Sequence, residues 1–150
     1  PDFAVIDLCT TRVRLVANKH HPLAKKKGIC KQDLEAFPSL SLPKGWFPRT
    51  EEKLSSHGLW STEAQIKKYR RDRWEGRTKD QVTLSYATCL GLEIMENLMI
   101  LDYDLNLTSG ESLVVKKSLA EDKRIQSLLL CLKKRVLEKS MVHNDLTPCF

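Results

Sequence analysis

Residues 14–24 read RLVANKHHPLA, and they run from a strand pattern into a loop pattern. Val13 to Ala17 alternates apolar and polar side chains, which predicts a strand with one buried face. Residues 18–27 then contain Pro22 and three consecutive lysines, which is typical of a loop. We therefore expect this segment to be a bridge between two folded parts of the chain.

The segments on either side of this bridge alternate between strand and helix patterns. Phe3–Ile6 is a short apolar run between two aspartates, which predicts a strand buried on both faces, as in a parallel sheet. Residues 120–139 are the clearest helix, with an apolar stripe made of Ile125, Leu128, Leu129, Leu132, Val136 and Leu137. The other predicted elements are helices at 33–37, 50–56 and around 86–90, strands at 39–42, 65–69 and 113–115, short strand or turn segments at 93–95 and 98–101, loops at 70–80 and 106–111, and a frayed tail at 140–150. This order predicts an α/β fold.

The composition is that of a folded protein without a membrane anchor. The 150 residues are 41% hydrophobic and 29% charged, enough for one domain or two small lobes. No apolar run is long enough to span a bilayer, and no basic leader precedes Phe3. The five cysteines contain no C-x-x-C pair, so we expect free thiols in a reducing cytoplasm, with Cys89 and Cys131 buried as small hydrophobes.

The net charge of +6 leaves a nucleic-acid-binding function open. Residues 67–74 contain five basic side chains with Tyr69 and Trp74 between them, a pattern that could bind phosphates and stack on bases. Acidic residues, Asp72 and Glu75, lie in or next to this cluster. We therefore prefer a solvated surface for it, and keep a nucleic-acid-binding module as an alternative.

Motifs for catalysis and metal binding are missing from the sequence. It contains no G-x-S-x-G, P-loop, G-x-G-x-x-G or H-E-x-x-H motif. His20 and His21 are adjacent, which makes them poor joint metal ligands, and His57 precedes a helix-ending Gly58, which favours a capping role. We expect no cofactor, no metal and no enzyme activity. A small enzyme that uses Cys9 with His20 or His21 stays open as an alternative.

Several segments together resemble the effector-binding domain of LysR-type transcription regulators. They cover nearly the whole chain in the family's order: residues 2–6 are similar to its (E/D)LDLAI strand, 14–24 to its LVAxxxHPLA segment, 33–34 to its DL turn, 87–95 to its VAAGLGIALLP turn, and 113–115 and 122–136 to its closing strand and helix. The chain departs from the family at Leu90, where a Gly is usual, and at Glu96, where a Pro is usual. These departures concern local geometry more than the fold.

The resemblance implies a fold of the periplasmic-binding-protein-like type (type II), with one complete lobe and one partial lobe. The implied ranges are 1–13 for the partial first lobe, 14–24 for the crossover, 25–100 for the second lobe, 101–139 for the return to the first lobe and 140–150 for a tail. It also implies a small-molecule effector in the cleft between lobes, and self-association as a homodimer or tetramer. DNA would be contacted only through a helix-turn-helix that these residues do not contain.

The same resemblance, together with the positions of helix N-termini, suggests where the effector binds. Ligands of open α/β sheets lie beyond the carboxyl ends of strands, where helix N-termini face anions. We expect Arg49 and Thr50 to bind an effector carboxylate, with Thr83 and Ser85 as weaker donors. Simple helix capping explains Thr50 and Thr83 about equally well, and Arg49 is also consistent with a surface cation. An exported solute-binding protein of the same architecture remains a further alternative.

Overall fold

A computed structural model describes residues 2–39, 48–59, 81–89 and 96–150. Contacts divide the chain into two compact units: unit 1 is residues 1–12 with 108–150, and unit 2 is residues 13–107. The predicted strand at 65–69, the basic cluster at 67–74, the loop at 70–80 and the segment at 93–95 lie outside the described residues. The lobe ranges given above stay predictions, because a division into compact units does not identify either unit with a lobe.

The described residues form five strands and three α-helices. The strands are β1 (Phe3–Asn18), β2 (Ser85–Thr88), β3 (Leu98–Ile100), β4 (Thr108–Lys116) and β5 (Leu146–Pro148). The helices are α1 (Lys31–Glu35), α2 (Pro48–Ser56) and α3 (Lys123–Ser140), with short 3-10 turns at Pro22–Lys25 and Lys117–Leu119. The two strands predicted at 3–6 and 13–17 are therefore one strand, β1, which contributes residues to both units.

In unit 1, β1 lies between two antiparallel partners. It pairs with β4 from Phe3↔Lys116 to Arg12↔Thr108, and with β5 from Cys9↔Pro148 to Thr11↔Leu146. The expectation of a parallel strand buried on both faces is wrong for Phe3–Ile6. Side chains alternate along an antiparallel strand, and here one face is open, with Phe3 and Val5 53% and 64% exposed.

Two further corrections in unit 1 come from pairing between residues far apart in sequence. The loop expected at 106–111 is strand from Thr108 onward, and the expected frayed tail contains β5. Ser109 and Gly110 give a weak local strand signal, but pairing with β1 satisfies their backbone groups. Leu146 is buried where β5 joins the sheet, which holds this end of the chain in the fold.

Helix α3 confirms the predicted helix, and its apolar stripe is partly half-buried and partly exposed. Asp122 caps the N-terminus by accepting a hydrogen bond from the backbone N–H of Arg124 at 2.8 Å. None of the 18 residues of α3 is buried, and Cys131, expected inside, is exposed. Leu128 and Leu137 of the predicted stripe are also exposed.

Unit 2 has its own sheet and the main core. β1 pairs antiparallel with β2, from Val13↔Thr88 to Val16↔Ser85, and with β3, from Val16↔Ile100 to Asn18↔Leu98. The helix expected around 86–90 is wrong for 85–88, because strand pairing with β1 overrides the local pattern there. The core of this unit is a cluster of buried side chains: Val13, Leu15, Ala17, Leu23, Ile29, Leu34, Leu54, Leu59, Leu84, Leu101 and Leu105.

Candidate functional site

The segment after β1 is organised by His21. The backbone N–H of Leu23 donates to His21 Nδ1 at 3.0 Å, and His21 Nε2 lies 3.2 Å from the Val82 carbonyl oxygen. Since Nδ1 accepts and a carbonyl can only accept, the ring is neutral with its proton on Nε2. The ring also lies against Phe37, with centroids 4.6 Å apart. His21 is thus the N-cap of the turn at Pro22–Lys25, a role that the sequence did not single out.

These contacts bear on the alternative in which Cys9 and a histidine act as nucleophile and base. Both ring nitrogens of His21 are engaged with backbone groups. Cys9 is buried in β1 of unit 1. The ring of His21 is therefore not available as a base in this arrangement.

Asp33 ties the basic loop to α1. Its carboxylate accepts hydrogen bonds from the Cys30 backbone N–H at 2.9 Å and from Lys26 Nζ at 2.6 Å. The bond from Cys30, and then the bond from Lys26, lower the pKa of Asp33 from 3.8 to about 2. The contacts are exposed to solvent, so they order the end of the loop more than they stabilise the core.

We expect the Asp33→Asn variant to melt at a lower temperature than the parent at neutral pH. The folded-state pKa lies below the ordinary value of 3.8, so the carboxylate contributes fully above pH 3.8. That contribution is lost as the pH falls through about 2. Thermal melts between pH 2 and 7 should show the difference narrowing in acid, while the exposed Asp2→Asn control shows little effect. A difference that stayed constant with pH would contradict the role given to the charge.

Helix α2 begins earlier than the sequence predicted and ends where it predicted. It starts at Pro48, so Thr50 lies inside the first turn, and its assignment as the N-cap is wrong. Proline is favoured at a first helical position because its fixed φ suits the helix and its missing N–H costs nothing there. At the other end Gly58 has a φ of +74°, and the Leu59 N–H donates to the Leu54 carbonyl.

His57 forms an unexpected pair with Tyr103. Its Nε2 donates to the Leu105 carbonyl at 3.1 Å, and its Nδ1 lies 2.7 Å from the Tyr103 hydroxyl, which then donates. The ring thus connects the end of α2 to residues 103–105, and the C-terminal capping role expected for it is not what these bonds show. Burial raises the pKa of Tyr103, in keeping with a hydroxyl that stays protonated and donates. No local motif marks this pair, because its members are far apart in sequence.

The four expected effector-binding residues all belong to unit 2 but differ in exposure. Arg49 is exposed and Thr50 half-buried on α2, while Thr83 and Ser85 are buried at the start of β2. Thr83 precedes a strand, so the helix-capping reading of this residue does not hold. Ser85 pairs with Val16, and its Oγ is buried without a hydrogen-bond partner among the described residues.

The elements that carry these four residues contribute to the same core. Leu54 of α2 and Leu84, next to β2, are both fully buried in the cluster of unit 2. Leu84 also forms a bridge with Ser39, and its N–H donates to the Pro38 carbonyl at 2.8 Å. The core thus anchors both pairs of residues.

The described residues offer no metal-binding cluster: within residues 2–39, 48–59, 81–89 and 96–150, no three His, Cys, Asp or Glu side chains are grouped to hold an ion. Over those same ranges, no helix combines the length and the apolar character needed to cross a membrane. The four expected effector-binding residues carry a guanidinium group at Arg49 and hydroxyl groups at Thr50, Thr83 and Ser85.

Solved structures identify the fold. The regulatory domain of MetR, a LysR-family regulator from N. meningitidis, matches with a TM-score of 0.65 at 9% identity, over 99% of this chain and 72% of that one. OxyR of Corynebacterium glutamicum matches with a TM-score of 0.62 at 15% identity, over 92% of this chain and 45% of the OxyR chain. The regulatory domain of Synechocystis CcmR, solved in complex with 2-PG, matches with a TM-score of 0.63 at 15% identity, over 89% of this chain and 66% of the CcmR chain.

These similarities are structural. Neither a protein-family model nor a curated protein sequence matches this chain. The chain spans less than half of the OxyR chain and about two thirds of the CcmR domain. It has the fold of LysR-family regulatory domains, which is periplasmic-binding-protein-like, and this confirms the predicted fold class.

Proposed function

We propose that this chain is a ligand-sensing regulatory domain of a LysR-type transcription regulator, not an enzyme. The observation that carries the proposal is the match of nearly the whole chain to regulatory domains of that family. The five free cysteines suit a reducing cytoplasm. In this proposal the domain self-associates, as a dimer or tetramer, and DNA is contacted by a helix-turn-helix outside these residues.

The effector we propose is a small organic acid bound by unit 2. Arg49 is an exposed cation that pairs well with a carboxylate, and Thr50 adds a hydroxyl one residue later. Ser85 Oγ has no hydrogen-bond partner among the described residues, and an unpartnered buried hydroxyl costs about 1–3 kcal/mol, so a ligand oxygen that accepts from it would be favoured. Thr83 is the fourth donor. The complex of the CcmR regulatory domain with 2-PG is a precedent for a small-molecule ligand in this fold.

A thermal-shift screen with small organic acids, 2-PG among them, tests this function. We expect at least one acid to raise the melting temperature, because a ligand that binds only the folded state stabilises it by mass action. At a hundredfold excess over Kd, that stabilisation is about 2.7 kcal/mol. A complete screen of carboxylates, hydroxy acids and phosphorylated acids without a shift would count against the proposal.

Variants then separate binding from folding. Arg49→Ala should abolish the shift caused by the acid, whereas Lys25→Ala, which removes an exposed cation of the same unit, should keep it. Ser85→Ala should leave the ligand-free melting temperature unchanged or slightly higher, since it removes a buried hydroxyl without a partner among the described residues. The same variant should still weaken binding of the acid. If Arg49→Ala and Lys25→Ala behaved alike, the assigned site would be wrong.

A further inference from the structure

Helix α3 exposes an apolar line on the side that faces solvent. Leu130, Leu137 and Met141 are separated by seven and then four residues, so they lie along one side of the helix. They are 71%, 43% and 84% exposed. Lys134 falls on the same line. We call these four residues the outer seam of α3.

The outer seam differs from the side of α3 that contacts the rest of unit 1. The half-buried residues of the helix are spaced for a second, inner side that includes Ile125, Leu129, Leu132 and Val136. Helix α3 contacts β5, which belongs to the same unit. The inner side therefore accounts for the packing of the helix, and the exposure of the outer seam needs a separate explanation.

The charge around the outer seam selects the kind of partner. Lys123–Ser140 contains six basic side chains and one acidic side chain, Glu138, a net charge of +5. Arg135 forms an ion pair with Glu138, with 3.2 Å between the guanidinium nitrogen and the carboxylate oxygen. Lys134 has no ion-pair partner in the described part of the chain. When a partner covers the seam, an acidic group opposite this basic residue compensates for the water that the lysine loses.

We infer that the outer seam of α3 binds an acidic amphipathic helix of a partner protein. Leucines of that helix would cover Leu130, Leu137 and Met141, and an acidic residue would pair with Lys134. A second copy of α3 fits less well, because it brings five more net positive charges and no acidic residue that is not already paired.

Other anionic surfaces explain fewer of these observations. Duplex DNA would use the lysines and arginines but not Leu130 or Met141, which point to an apolar contact. A membrane-surface helix needs a wide apolar face, and here the wide face is the half-buried inner side. A narrow seam of three apolar residues around one lysine has the width and spacing of a helix-binding surface.

Binding can be measured with the whole chain and a synthetic probe. The probe is a helical peptide of about 18 residues, with seam positions at i, i+4, i+7 and i+11. Three of these positions are leucine and one is glutamate, and further glutamates lie on both flanks. We expect Kd values of about 1–100 μM by fluorescence anisotropy. Leu130→Ser and Met141→Ser should each weaken binding about tenfold. Val114→Ser, at an exposed apolar position of the same unit, should not.

A charge swap identifies the pairing. Lys134→Glu should weaken binding more than tenfold, and a probe with lysine in place of its seam glutamate should restore it. Lys25→Glu makes the same change in net charge elsewhere and is the matched control. The inference fails if no acidic probe binds below about 1 mM, or if Lys25→Glu weakens binding as much as Lys134→Glu. It also fails if anionic phosphatidylglycerol vesicles or duplex DNA bind more tightly than the probe and lose that binding in Leu130→Ser.

Discussion

The Leu15→Ala variant should lose about 3 kcal/mol of unfolding free energy, the largest effect we expect from any single truncation in this chain. Leu15 is 1% exposed, in the middle of the core of unit 2. It pairs with Tyr86 of β2, and its carbonyl accepts from the Leu101 N–H at 3.0 Å on the other side. Backbone pairing on both sides prevents the strand from collapsing into the cavity, so the cavity persists.

Urea unfolding followed by far-UV circular dichroism measures this effect. Leu130→Ala is the matched control: the same truncation at a 71% exposed helical position should cost less than about 0.5 kcal/mol. Equal losses in the two variants would show that the core assigned to unit 2 is wrong.

The His21→Ala variant should lose about 2–3 kcal/mol, more than is usual for a loop histidine. The substitution removes the N-cap acceptor of the Leu23 N–H, which is worth about 1 kcal/mol. It also removes the partner of the Val82 carbonyl and leaves a gap beside Phe37. The ring is 3% exposed, so water does not readily replace these contacts.

Two controls isolate the capping bond. His21→Asn places an amide oxygen near the position of Nδ1, so it should recover about 1 kcal/mol relative to His21→Ala in the same urea titration. His20→Ala, at the exposed neighbouring position, should stay within about 0.5 kcal/mol of the parent. The structural role of His21 would be refuted if His20→Ala were as destabilising as His21→Ala.

The site was only partly accessible from the sequence. Thr83 and Ser85 were selected as residues before a helix, but Ser85 begins a strand and Thr83 lies two residues before it, and only the fold shows that both are buried. The assignment of Arg49 and Thr50 as effector-binding residues remains a prediction. The bonds of His21 to Val82 and of His57 to Tyr103 span 61 and 46 residues, distances at which no local pattern carries information.

What the amino-acid order alone determined is local. The helix of α3 and the stop of α2 at Gly58 follow from periodicity and from the conformational freedom of glycine, which act over a few residues. The resemblance of several short segments, in the family's order, also pointed to the correct fold class.

Tertiary structure decided the rest, because strand pairing satisfies backbone groups irrespective of weak local preference. It turned residues 85–88 and 146–148 into strands, made β1 the central strand of both units, and left Phe3 and Val5 exposed where the sequence indicated burial. Burial depends on which surfaces meet, and neither composition nor periodicity specifies which residues of a distant strand will lie opposite.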